Sequence, residues 1–238
     1  GALKAQNFFY EKARRDGLTL IWGPTAWVGR LIGAPGVRAK YEEYEVIGSF
    51  KNEYITYIRR ELKPGLTLTK ATDLVKSGHM VKLGCTRPSS NLCILHRLGF
   101  DILGIKHRLV AGFRSTPKTM HAILQGEVDS HTTPGRTFRA VVEPGLKKGN
   151  KGLGLYYYPI LDKSGKPIKN ADFPNMPSFT DVYKELNGGK MPSGVKWEAV
   201  KMINNVISQF NSAAYAPPGT PPEALAELRS SFRKTMTT

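Results

Sequence analysis

Met80–Leu98, MVKLGCTRPSSNLCILHRL, is the stretch on which the fold turns. Met80 to Gly84 is a short apolar run of strand type that stops at the loop Cys85-Thr86-Arg87-Pro88. The chain resumes as an amphipathic helix from Ser89 or Ser90 to about Leu98. A second unit of the same design follows at once. His107 to Ala111 is strand-like and Gly112-Phe113-Arg114-Ser115 is its loop. The helix after it has Thr116 as N-cap, Pro117 at its first position and Gly126 to close it. Glu127 to Ser130 reads as the next strand. Strands that alternate with helices in this way run parallel and need crossovers, so an α/β architecture with mixed, mainly parallel sheets is expected.

The flanking sequence extends the pattern. Leu18 to Trp22 (LTLIW) is strand-like and ends at Gly23-Pro24, while Tyr54 to Leu62 (YITYIRREL) alternates and ends at Pro64-Gly65. Leu153 to Leu161 is a further strand, in which Tyr156, Tyr157 and Tyr158 cannot all face one way. Lys163 to Pro167 reads as an exposed hairpin turn, and Trp22, Trp27 and Trp197 as core positions. Near the end, Ala216-Pro217-Pro218-Gly219-Thr220-Pro221-Pro222-Glu223 is a rigid turn before a helix with Leu225, Leu228 and Phe232 on one face. Thr220 and Glu223 there have capping-box spacing and Pro221 the first helical position.

The 238 residues allow one large domain or two modest ones. A hydrophobic share of 40% and an aromatic share of 10% exclude a disordered or collagen-like chain. No apolar run approaches the roughly 18 residues needed to cross a bilayer. Gly1 to Tyr10 lacks the pattern of a signal peptide, so any targeting peptide is expected to have been removed or never present. Cys85 and Cys93 are too few for a disulfide scaffold and are not spaced as metal ligands; they read as small core thiols. The five histidines are scattered, so no metal or cofactor is expected.

The 35 Lys and Arg against 19 Asp and Glu give a charge of +16, which calls for an anionic partner. The basic residues occur singly or in pairs, with the densest stretches in Gly- and Pro-rich loops, and no nucleic-acid-binding motif accompanies them. A small anion fits better. In an open α/β sheet, the loops after the strands converge on a crevice where helix beginnings offer unsatisfied N–H groups and a positive dipole end. Gly84 to Ser90 and Gly112 to Thr116 are rich in hydroxyls, each carries an arginine and neither holds a carboxylate. That composition suits a carboxylate or phosphate, although Ser89, Ser90 and Thr116 would serve equally as ordinary caps, with Arg87 and Arg114 solvated.

Four segments in order, Asp16-Gly17-Leu18-Thr19-Leu20, Gly126-Glu127-Val128-Asp129, Asp172-Phe173-Pro174-Asn175-Met176-Pro177-Ser178-Phe179 and the Pro-rich turn at 216–223, give the chain a family likeness. It closely resembles the substrate-binding receptors of tripartite tricarboxylate transporters, the Bordetella uptake gene family, over nearly its whole length. The resemblance implies a periplasmic binding protein of type II-like fold, with two lobes joined by a hinge. Such a protein captures a small organic carboxylate in an interlobe cleft and delivers it to membrane permease subunits, without being membrane-embedded and without binding nucleic acid. Residues 1–58 with 212–238 would form the first lobe and 59–211 the second, with hinge residues near Tyr57 to Arg59 and Phe210 to Tyr215. Carried over by position, Thr25 and Ala26, then Lys51 and Asn52, match ligand contacts of the first lobe. In the second lobe Thr86, Ser89 and Ser90 match one binding loop, Phe113, Arg114 and Ser115 the next, and Asp129 the end of a strand near the cleft. Asp129 has an equally good reading as the hydrogen-bonding partner of a neighbouring loop.

Family receptors ordinarily begin with a further strand, a Pro-Gly-Gly turn and a helix ahead of the region that Gly1 to Asn7 resembles, so the first lobe is expected to be incomplete in this chain. Two other function classes fit parts of the sequence. Ser115-Thr116-Pro117-Lys118 has the S-x-x-K spacing of a serine hydrolase-like enzyme, without its companion motifs, and Ser231 to Lys234 repeats it. The basic charge alone would also serve a nucleic-acid-binding protein. The reading adopted is a receptor with no catalytic residues.

Overall fold

Residues 2–162 and 164–237 are described by a computed structural model, in which the chain forms two compact units. One comprises Gly1–Asn52 with Val206–Thr238, the other Glu53–Asn205.

The first unit begins with α1 (Ala2–Lys12), β1 (Ile21–Gly23), α2 (Trp27–Leu31) and β2 (Glu45–Ser49). Polar side chains of α1 hold the irregular segment that follows α2. Asn7 Oδ1 accepts the N–H groups of Arg38 and Ala39 at 3.1 Å each, and its Nδ2 donates to the Gly36 carbonyl at 2.8 Å. The Tyr41 and Tyr44 hydroxyls donate to Gln6. Around these bonds Phe9, Tyr41, Tyr44 and Tyr215 make a core of edge-on rings.

The second unit contains β3 (Tyr54–Arg59), β4 (Glu61–Lys63), β5 (Leu66–Thr67), α3 (Ala71–Ser77), β6 (Val81–Cys85), α4 (Asn91–Ile102), β7 (His107–Ala111), α5 (Thr116–Gln125) and β8 (Ser130–Pro134). The short helices α6 (Gly135–Thr137) and α7 (Glu143–Lys147), joined by a π-helical turn, lead to β9 (Gly152–Tyr158) and α8 (Phe179–Leu186). Then α9 (Val195–Phe210) carries the chain from the second unit into the first. There β10 (Ala213–Ala216) completes an antiparallel sheet of order β1-β10-β2. Finally α10 (Pro222–Thr237) packs Leu225, Leu228 and Phe232 against Ile47 and Ala216.

The second unit's sheet has the order β7-β6-β8-β3-β9. It is mixed: β6 is parallel to β7 and β8, whereas β3 is antiparallel to β8 and β9. Lying between two neighbours and covered on both faces, β3 buries Tyr54, Ile55, Tyr57 and Ile58 completely. Its alternating sequence therefore does not translate into one wet face, and Tyr57–Arg59, expected to serve as a hinge, lies inside this strand. The three tyrosines of β9 divide as the pleat requires. Tyr157 joins Ile55 and Tyr57 in one core layer, while Tyr156 and Tyr158 join Phe179 and Trp197 on the other face.

Several boundaries differ from the sequence reading. The Leu18–Trp22 run pairs only from Ile21, because β1 is an edge strand bonded to β10 alone, and Trp22 is half-exposed instead of in the core. The strand expected at Glu127–Ser130 runs over Ser130–Pro134, since the N–H groups of Glu127 and Val128 turn back to the Ala122 carbonyl in closing α5, while Asp129 bonds to Lys82 and Arg59 just ahead of the strand. The capping box at Thr220 does not form. Its hydroxyl donates back to the Pro217 carbonyl at 2.8 Å to close the Pro-rich turn, and the helix starts two residues later. A hairpin turn is present at 161–167, where Asp162 Oδ1 accepts the Ser164 and Lys166 N–H groups; Lys163 lies outside the described residues.

Candidate functional site

The strand β6 ends between β7 and β8, and the chain passes from it through α4 to β7, then back through α5 to β8. Right-handed crossovers in these two opposite directions place α4 and α5 on opposite faces of the sheet, with both helices beginning beside the end of β6. A cavity of about 150 Å³ lies there. Gly84 permits the close packing beneath it: a Cβ would stand 2.9 Å from Thr119 Cγ2 and 3.0 Å from Val128 Cγ2. Gly112, at φ +115°, turns β7 into its loop and donates to the Cys85 carbonyl at 3.0 Å.

Both helices open onto the cavity without side-chain caps. Ser90 is the N-cap of α4, yet its hydroxyl donates backwards to the Arg87 carbonyl at 2.9 Å. Ser115, and not Thr116 as the sequence suggested, is the N-cap of α5, with Pro117 at the second helical position, and it makes no cap bond either. The N–H groups of Leu92 and Cys93 in α4, and of Thr116 and Lys118 in α5, have no protein acceptor among the described residues. These are the groups that carry the positive end of a helix dipole. No carboxylate and no Lys or Arg lines the cavity.

The floor is polar and neutral. His131 on β8 has its Nδ1 2.7 Å from the Gly84 carbonyl, and burial pushes its pKa down to about 4. His96 on α4 is held through Ser130: the Ser130 hydroxyl donates to the Tyr57 carbonyl at 2.7 Å and stands 3.1 Å from His96 Nε2, which therefore carries the proton. Burial keeps His96 well below the usual imidazole range. Cys85 and Cys93 are free, buried thiols on the same wall. Their mutual hydrogen bond lowers the Cys85 pKa and raises that of Cys93. The Thr119 hydroxyl is donated to the Ser115 carbonyl at 3.0 Å, and those of Thr116 and Thr133 are paired at 3.1 Å.

Of the residues singled out in the sequence, Thr86, Ser90, Phe113 and Ser115 line this cavity together. Ser89 and Arg114 lie on the same two loops but outside its lining. Asp129 is fully buried at the start of β8, where its carboxylate accepts Arg59 Nε at 2.9 Å and the Lys82 N–H at 2.8 Å. Thr25, Ala26, Lys51 and Asn52 belong to the first unit. Thr25 is buried against Tyr215, and the Ala26 carbonyl accepts the Arg30 N–H. Asn52 donates to the Ser208 carbonyl and to Ser212 Oγ, while Lys51 is exposed. The sequence reading missed Cys85, Cys93, His96, His131 and Thr119 as lining residues. Strand order brings them together, and sequence spacing carries no trace of it; the one available signal was that Gly84 to Ser90 closes a parallel strand.

No protein-family model matches the sequence, and no curated protein matches it. Solved structures do. A TctC solute binding protein from Polaromonas superimposes with a TM-score of 0.59 at 14% identity, covering 100% of this chain and 70% of its own. MatC from Rhodopseudomonas palustris with bound malate gives 0.65 at 14%, covering 100% and 71%. A second R. palustris protein, solved with adipate, gives 0.64 at 14%, covering 96% and 67%. The chain thus has the fold of these solute-binding proteins and spans about 70% of their length.

Proposed function

We propose that the protein is an extracytoplasmic solute receptor, located in the periplasm. It captures a small organic carboxylate at the beginnings of α4 and α5 and delivers it to the permease of a tripartite tricarboxylate-type transporter. One observation carries this reading: two helices, of 12 and 10 residues, start at one cavity with their first N–H groups uncapped and with no carboxylate to repel an anion. The net charge of +16 favours the same ligand class, as do the malate and adipate named for the structural neighbours. Among the described residues no helix is long and apolar enough to cross a membrane.

Thr86, Ser90, Phe113 and Ser115 are the contacts proposed in the second unit; Ser89 and Arg114 are not needed. Asp129, spent on Arg59, is assigned a supporting role. In the first unit the proposed contacts Thr25, Ala26, Lys51 and Asn52 rest on the resemblance alone. No catalytic step is assigned: Ser115 is a helix N-cap, and its hydroxyl is not hydrogen-bonded to Lys118.

A thermal-shift panel of mono-, di- and tricarboxylates tests the proposal. At least one acid should raise Tm saturably, by an amount matching about 2.7 kcal/mol at a concentration of 100 Kd. Flat responses throughout, with tight salt-dependent binding of oligonucleotides, would favour the nucleic-acid reading. Ester or amide hydrolysis abolished by Ser115→Ala would favour the enzyme.

A further inference from the structure

We infer that His131 is a specificity residue, and that the acid this cavity selects carries a hydroxyl beside the carboxylate, donated to His131 Nε2. The inference rests on the carboxylate reading above and narrows its substrate class to hydroxy acids.

The geometry fixes the tautomer. The Gly84 carbonyl can only accept, so the proton of the neutral imidazole sits on Nδ1, 2.7 Å away, and Nε2 is left with a lone pair. The residue is 8% exposed and lines the cavity, and its one side-chain hydrogen bond among the described residues is that of Nδ1. Burial keeps the ring neutral at physiological pH, so Nε2 remains an acceptor there.

Two further hydroxyls of the wall point the same way. The Ser90 and Thr119 hydroxyls have already given their protons to backbone carbonyls, so they too present lone pairs to the cavity. The donors are the N–H groups beginning α4 and α5, together with the Thr86 and Ser115 hydroxyls, which have no protein acceptor among the described residues. A ligand satisfying both sides needs an anionic group for the helix ends and a hydrogen-bond donor for the floor. A plain carboxylate turned towards His131 would set lone pair against lone pair.

The test is calorimetry on matched pairs differing by one hydroxyl: lactate against propionate, and 2-hydroxyglutarate against glutarate. The unmodified protein should favour the hydroxy acid of a pair by about tenfold or more, because a seated deoxy acid covers the Nε2 acceptor without pairing it. His131→Phe should bring the ratio to within about twofold, chiefly by weakening the hydroxy acid. Titration at pH 7 in buffers of different ionisation enthalpy should show no proton uptake. Equal binding within both pairs overturns the inference while leaving the carboxylate reading intact, and uptake of about one proton overturns it too, since the carboxylate would then face His131. A ratio unchanged in His131→Phe also overturns it. Absence of binding by every acid removes both readings. The matched-pair ratio and the proton count need no variant, so a misfolded His131→Phe does not shelter the claim.

Discussion

At Gly84 a single missing methyl group lets Thr119 close over the end of β6, and it lies next to the residues whose polarity defines the cavity. Gly84→Ala should cost about 1–3 kcal/mol through overpacking, read from the urea midpoint. His131 and His96 set a second residue-level expectation. Their folded pKa values lie below the unfolded value of about 6.5, so above that pH neither affects stability. As pH falls from 6.5 towards 4 the unfolded state takes up protons that the folded state refuses. His131 alone should remove on the order of 3 kcal/mol across that window, with His96 steepening the slope. Urea denaturation at pH 7.5, 6 and 5 checks this: in His131→Phe the slope should become shallower, and an unchanged slope would deny the residue its part.

Helix beginnings separate structural caps from a binding site. In α8 the Ser178 hydroxyl accepts the Asp181 N–H at 3.1 Å, and Asp181 reaches back to the Ser178 N–H at 3.0 Å, a complete capping box. Ser178→Ala should therefore cost about 1 kcal/mol. Ser115, at the same position of α5, makes no such bond, so Ser115→Ala should change stability by less than about 0.5 kcal/mol while weakening carboxylate binding. Equal losses for the two variants would mean that Ser115 caps its helix after all. Local sequence predicts the elements themselves well: β7 spans His107–Ala111 as read, and Gly126 closes α5 with φ +79°. It does not predict where a hydroxyl goes. Thr220 and Ser90 both stand at cap-like positions, and both turn to preceding carbonyls that the surrounding loops leave available.

On the scale of the whole molecule, the charge of +16 is distributed widely and meets no fixed cation in the cavity lining. It should act on encounter more than on the bound state. Raising ionic strength from about 0.05 to 0.5 M should slow carboxylate association several-fold and leave dissociation nearly unchanged, as stopped-flow fluorescence would read. A large salt effect on dissociation would instead place basic side chains in contact with the ligand.

The two parallel strand-to-helix units from Met80 to Gly126 and their hydroxyl-rich loops at Gly84 to Ser90 and Gly112 to Thr116 were written in the order of residues, because turn chemistry and hydrophobic period act over a few neighbours. The partners were not. That β8 lies beside β6, bringing His131 to the Gly84 carbonyl across 47 positions of sequence, follows from sheet order. So does the engagement of Asp129 with Arg59, 70 positions away. Burial and the neutral imidazole it enforces exist only once those strands are packed, since desolvation belongs to the assembled interior and to no single segment.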